Sequence, residues 1–402
     1  MVCISNAYGG MKIMKKGLIS ILVCMLMTLT TIVPISATIL SEKTSHPLTK
    51  GNTLHVGGSG LGNYTSIQDA IDNASDGDTI FVYSGIYYGV ITIDKTVILT
   101  GEEKTSTMID GQQLGEDTIT VTAPKVHLSG FTICNSSRDG GYNAGLKLEH
   151  ADESVIEHNI FTDNCWAAEI RSSSSCIFVD NSVVDNEQGG VYLPLSTFTQ
   201  ISGCTFSGNG KKGLEIFNGN DQVISSNTFI DCGIELYAEP PPGNFVHCTI
   251  TDNMVNGKPL IYLEHKNGKF IRNAGQVILN HCNGVLVWNN ELTNTSIGAQ
   301  VLGSTFVRIV GNTIANNFHG ISVVKSIAVN IVNNDVTDNM YDGIGVFHSG
   351  FCRISFNEVS KNNIGIYFYG TFFNSMYLNY VHDNEKCNYF IDSALFPFII
   401  NA

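Results

Sequence analysis

The chain has 402 residues, 43% hydrophobic and only 14% charged, with 40 Gly and a formal net charge of −14. That balance excludes an extensively disordered protein and calls for a sizeable buried core. The 22 Lys plus Arg are too few and too scattered to form the basic surface that a phosphate backbone requires, so no nucleic-acid partner is expected.

In chain order the first predicted element is a leader. Lys12, Lys15 and Lys16 precede the uncharged run LISILVCMLMTLTTIVPI and the small residues Ser36 and Ala37, which together make the three regions of a secretory signal. Residues 1–37 are therefore expected to be a signal peptide, 38–53 a linker and 54–402 a single domain that is secreted, periplasmic or at the cell surface. Cleavage would leave no membrane span; the alternative is an uncleaved anchor, because residues 18–35 are just long enough to cross a bilayer. Of the 11 Cys, Cys3 and Cys24 lie in the leader and the remainder contain no CxxC spacing, which points away from a disulfide framework.

YTSIQDAIDNA follows, with Thr65 placed to start a short helix that carries Ile67, Ala70 and Ile71 on one face. This helix is expected to cap residues 54–90, the N-terminal cap and first coil. Beyond it one register recurs at Asn159, Asn181, Cys204, Asn227, Asn253, Asn290, Asn312, Asn334, Asn357 and Asn379, mostly 22 or 23 residues apart. Each period holds three alternating apolar pairs, such as Val307 and Ile309 before the Asn or Ile344 and Val346 after the following Gly. Alternation marks strands with one buried face, and Asn or Gly between them tolerates the left-handed backbone of tight corners.

Stacked coils of this kind predict an all-β fold: a single-stranded right-handed parallel β-helix, a three-sheet solenoid of about 22–23 residues per coil with a short N-terminal capping helix. The recurrent Asn should form an inward ladder of side-chain amides, and Cys176, Cys248 and Cys352, at one inward position, should fill the core. The 37-residue interval after Asn253 marks an elaborated coil at 254–288, and 387–402 is expected to close the far end.

The stretches SIQDAIDNASDGDTIFVYSGIYYGVITIDKTVILTGE, MIDG, VHLSGFTI, NGKPLIYLE and GQVIL, followed by the Asn-rich coils, resemble the NosD-type family of exported right-handed β-helix proteins. That family lies within the pectin-lyase-like superfamily, which includes the carbohydrate-binding and sugar-hydrolase repeats. The resemblance implies polysaccharide binding or cleavage, a surface or adhesion role, or, for the namesake, copper delivery to a periplasmic reductase. Copper is not expected here, because Met108, Met254, Met340 and Met376 are the only Met after the leader and the His are dispersed. NFHG at Asn317 to Gly320 is similar to a polygalacturonase element, but its neighbouring paired-Asp and Arg-x-Lys motifs are absent.

The repeat also assigns an outward column on the strand after each Gly: Lys147, Glu169, Tyr192, Glu215, Glu235, then Gln300, Ser322, Gly345 and Tyr367. The neighbouring outward column carries Glu149, Arg171, Pro194, Phe217 and Tyr237. Glu215 and Glu235 would face each other on adjacent coils, where two carboxylates can share a proton, bind Ca²⁺ with other oxygens, or act as acid and nucleophile on a glycosidic bond. Glu169, Arg171, Tyr192, Phe217 and Tyr237 are the candidate carbohydrate-binding residues, the aromatic rings as platforms for sugar faces. EPPPGN at 239–244 would wall this face, and LEHKNGKFIRN, with Glu264, His265, Lys266, Lys269 and Arg272, is a second candidate contact.

No metal site and no certain cofactor follow from these residues. The sequence leans toward a glycan-binding protein rather than an enzyme, with a polysaccharide lyase or glycoside hydrolase built on Glu215 and Glu235 as the first alternative and a structural or adhesion protein as the second.

Overall fold

The computed structural model describes residues 51–138, 141–237 and 247–392, together with the backbone of Val2–Ile4 and Phe398–Ile400. The signal-like run, most of the linker, EPPPGN and part of the C-terminal closing segment lie outside the described residues.

The chain is a right-handed parallel β-helix. Three short strands per coil alternate inward apolar and outward polar residues, and each pairs in register with its equivalent one coil on, as Val155–Glu157 does with Ile177–Val179. Inside, same-position side chains stack: the Phe206 and Phe229 rings lie 4.7 Å apart and nearly parallel, both fully buried. Burying each such ring contributes roughly 1.5–3 kcal/mol, multiplied along the coils. The capping helix is Ile67–Asn73, and its N-cap is Ser66, one residue later than expected, with the hydroxyl accepting from the Asp69 N–H. Ile67, Ala70 and Ile71 are its buried face.

Corners are fixed by the Asn ladder. Asn312, Asn334 and Asn357 are buried, and each side chain donates to the Asn above it and accepts from the one below. A second ladder runs five residues further on, through Asn164, Asn186 and Asn209 and again through Asn317, Asn339 and Asn362. The nine cysteines among the described residues are all buried and unbridged, and Cys176, Cys248 and Cys352 fill the core. Burial pushes the Cys204 thiol up to about 12.

Cys204 interrupts the first ladder between Asn181 and Asn227, where its Sγ lies 3.6 Å from the Phe178 carbonyl. An amide there would donate to that carbonyl and to the Asn227 oxygen while accepting from the Asn181 N–H. Cys204→Asn is therefore expected to stabilise the fold by about 1 kcal/mol, seen as a rise of about 2 °C in calorimetric Tm; an unchanged or lower Tm would show that the gap is neutral.

The strands fall into five sheets rather than three because the solenoid changes course once. Strand Met254–Val255 turns back as a hairpin into Lys258–Glu264, the one antiparallel pairing among the described strands. The first half's second sheet thereby runs on into the second half's third sheet, making one 16-stranded sheet, while the first half's third sheet stops at Gly233–Tyr237. The outer face of the continuing sheet lies across the end of the first half. Ile278 and Leu302 point outward from the second half and join the first half's hydrophobic core, whereas Val277 and Val301, their inward neighbours, belong to the second core. One half thus caps the other.

Candidate functional site: a cleft where the two halves meet

Gly233–Tyr237 is an edge strand whose next coil is missing, and it abuts the outer face of the second half's sheet. Gly233 is required at this contact, because a side chain there would collide with the Thr295 hydroxyl and with Gln276 Oε1. Farther along the same face no described residue covers the sheet, and a cleft of about 820 Å³ opens, walled by Glu235 and Tyr237 and floored by strands Ile297–Leu302, His319–Val324, Asp342–Phe347 and Ile364–Tyr369. Its floor is two-sided. Aromatic groups line one flank, with Phe347 and Tyr367 edge to face at 5.2 Å and Tyr369 beside them, while His319, Asp342 and Lys386 line the other. Gly345 is bare because a Cβ would strike the Phe347 ring that lies across it.

Glu215 and Glu235 are direct partners on adjacent coils. Lys212 lies against both, with Nζ 2.7 Å from Glu215 Oε2 and 3.8 Å from Glu235 Oε2, and its ammonium also sits 4.6 Å from the centre of the Phe318 ring of the second half. Burial opposes the ammonium, but the charges of Glu235 and Glu215 outweigh it and hold Lys212 above its usual range. Of the two carboxylates only Glu235 lines the cleft, and its Oε2 is buried with no hydrogen-bond donor among the described residues.

Glu215 is raised above the usual carboxyl range, first by burial and then by the charge of Glu235, against the pull of Lys212. A carboxyl raised on folding binds its proton more tightly in the native state. Its contribution to stability is full below the unfolded value of 4.5 and is lost as pH rises through the folded value. Glu215→Gln fixes the neutral form, so thermal melts should show the variant more stable than wild type at pH 7 and the two converging below about pH 4. A pH-independent difference would refute this.

The floor supplies a second carboxylate. Asp342, buried, has Oδ2 3.4 Å from His319 Nδ1, and the His319 ring packs on Tyr341 at 5.4 Å. Both side chains occupy the position just before a coil's Gly, which is Ile297 one coil earlier and Ile364 one coil later. A polar pair interrupting an apolar column was the available signal for them, and NFHG already contains His319.

The other sequence-predicted residues are placed as follows. Tyr237 is at the cleft mouth, 46% exposed, with its ring stacked on Phe217 at 5.2 Å. Tyr192 lies two coils before Tyr237, 6.4 Å from Phe217 and 5.4 Å from Trp166, and burial pushes its phenol up to about 12. Glu169 is buried and paired with Arg171, and both lie on the sheet away from the cleft lining. The expected single column is split: Gln300, Ser322, Gly345 and Tyr367 share a register, but on the second half's sheet, facing the end of the first. The second candidate stretch is dispersed, with Glu264 bonded to His247, His265 stacked on His281 and Arg272 over Trp288.

A family model described as periplasmic copper-binding protein (NosD) matches residues 71–256 and 242–393. The chain belongs to the NosD family. None of the curated proteins matches it. Among solved structures, the complex of XylC with xylose is similar at 9% identity, covering 85% of this NosD-family chain and 86% of that one with a TM-score of 0.43. The catalytic domain of a GH87 alpha-1,3-glucanase in complex with tetrasaccharides is similar at 12% identity, with 92% and 70% covered and a TM-score of 0.41. The mannuronan C-5 epimerase AlgE4 A-module of Azotobacter vinelandii is similar at 12% identity, with 83% and 92% covered and a TM-score of 0.31.

These likenesses show the shared fold alone. The leaning away from an enzyme is corrected: catalytic domains stand among the similar structures, and the missing polygalacturonase motifs bear only on that one family.

Among the described residues no three His, Cys, Asp or Glu side chains are grouped to hold a metal, and the cysteines lie singly in the core with thiols raised by burial, as at Cys204 and Cys248. Among the described residues no helix is long and apolar enough to cross a membrane.

Proposed function

We propose that this protein is a polysaccharide-cleaving enzyme, a glycoside hydrolase whose site is the cleft between the two halves, with Glu235 and Asp342 as its reacting carboxylates. One observation carries the reading: two buried carboxylates from different halves line one open, partly aromatic cleft. Glycosidic cleavage needs one carboxyl group to protonate the leaving oxygen and a second carboxylate on the other side to support the developing positive charge or to activate water. Glu235 lines the cleft with its Oε2 3.8 Å from the Lys212 ammonium, and Asp342 is steadied by His319. Tyr237, Phe347 and Tyr367 provide the flat apolar surfaces on which the CH faces of sugar rings pack. Lys212 and Glu215 lie behind Glu235 and set its electrostatic surroundings without lining the cleft.

The test is incubation with a panel of neutral and acidic polysaccharides, read both for new reducing ends and for the absorbance of unsaturated uronates. Reducing ends without absorbance support a hydrolase. Absorbance would replace it by a lyase, and tight binding without turnover would leave a binding module.

A further inference from the structure

A sheet edge ordinarily needs another strand, water or a charged guard, yet the edge strand Gly233–Tyr237 is closed by side chains from the other half. Gln276 Oε1 accepts from the Ile234 N–H at 3.0 Å and its Nε2 donates to the Ile234 carbonyl at 2.6 Å. Gln300 does the same to Leu236, with 3.3 Å from the N–H and 2.8 Å to the carbonyl. Ser296 adds a hydroxyl bond of 2.8 Å to the Ile234 carbonyl. Both glutamines are buried, and they project from the outward face of successive strands, Gln276–Asn280 and Ile297–Leu302. Each carboxamide offers one donor and one acceptor in a plane, so it reproduces what a peptide group of a neighbouring strand would present. The residue between the two clamped positions is Glu235.

We infer that Gln276 and Gln300 are positioning residues that replace the missing coil and hold Glu235 at its place in the cleft. The inference rests on the proposed hydrolase for its catalytic consequence, but not for its structural one. Glu235 and Asp342 come from different halves, and these amide bonds act on the backbone of both residues adjoining Glu235. An apolar residue of similar size at 300 would keep the packing and orphan the Leu236 N–H and carbonyl, freeing the strand end that carries Glu235.

The experiment uses the full chain with Gln300→Leu and Gln300→Glu. Hydrogen exchange of the peptide spanning 233–237 is measured by mass spectrometry, and kcat and KM on whichever polymer the wild type cleaves. Gln300→Leu should speed exchange there at least tenfold and lower kcat about tenfold with KM within twofold. Gln300→Glu is the conservative rescue: a protonated carboxyl retains a donor and an acceptor, an ionised one does not. Its protection and kcat, each relative to wild type at the same pH, should be lost at neutral pH and recover as pH falls. Because this variant switches within one folded protein, it carries the test even where Gln300→Leu fails to fold.

Unchanged exchange in both variants would overturn the clamp. Faster exchange with unchanged kcat would overturn the positioning of Glu235 by it. If the wild type cleaves no polymer, the hydrolase reading falls separately, and the exchange data alone decide whether the glutamines stand in for a strand.

Discussion

Asn334→Ala is expected to remove about 4 kcal/mol of stability, enough to bring a marginally stable domain close to unfolding. The side chain is buried and fully used. Its Nδ2 donates to the Ile309 carbonyl at 2.9 Å, the Val332 carbonyl at 3.2 Å and Asn357 Oδ1 at 2.9 Å. Its Oδ1 accepts from both the backbone N–H and the Nδ2 of Asn312, each at 2.9 Å. Alanine leaves the Asn312 N–H and the Ile309 carbonyl without these partners in the core, at about 1–3 kcal/mol for each buried orphan. Asn379, at the end of the same ladder and only partly buried, accepts from Asn357 and donates to the Ile354 carbonyl. Asn379→Ala should therefore cost markedly less, because water reaches what it exposes. Denaturant unfolding of the two variants measures the contrast; equal losses, or a loss below about 1 kcal/mol at Asn334, would show that the ladder follows the corners rather than holding them.

The ladder was legible in the sequence because coil geometry is local. A fixed period with Asn at one position and apolar pairs at set offsets specifies corners, inward faces and the pairing of adjacent coils, and Glu215 duly meets Glu235. Which sheet continues into which is a long-range matter that periodicity does not encode. The interval between Asn253 and Asn290 reads as an elaborated coil, but its length does not tell that the hairpin in it sends the second sheet of one half into the third sheet of the other. Outward residues of the second half therefore became a cap for Gln276, Ile278, Gln300 and Leu302 and a cleft floor for Ser322 and Tyr367. The first-half part of the candidate site followed from register alone. His319 and Asp342 did not, because they share a cleft with Glu235 only once the course of the solenoid changes.

Glu235→Gln and Asp342→Asn are each expected to lower kcat about a thousandfold on a polysaccharide that the wild type cleaves, with KM changed by less than about threefold. Both changes keep shape and hydrogen bonding while removing the proton or charge that glycosidic cleavage uses, so sugar binding through Tyr237, Phe347 and Tyr367 should persist. The double variant should lose little more than either single one, since an acid without its partner carboxylate already does little for the same bond. Glu169→Gln separates this from a general loss of acidity on the first half's outer face. It removes the charge that Glu169 sets against Arg171 away from the cleft, so it should leave turnover by the folded protein within about twofold. If Glu169→Gln abolished turnover and Glu235→Gln did not, the chemistry would belong to the exposed sheet and the cleft would be only the place where two halves of a solenoid meet.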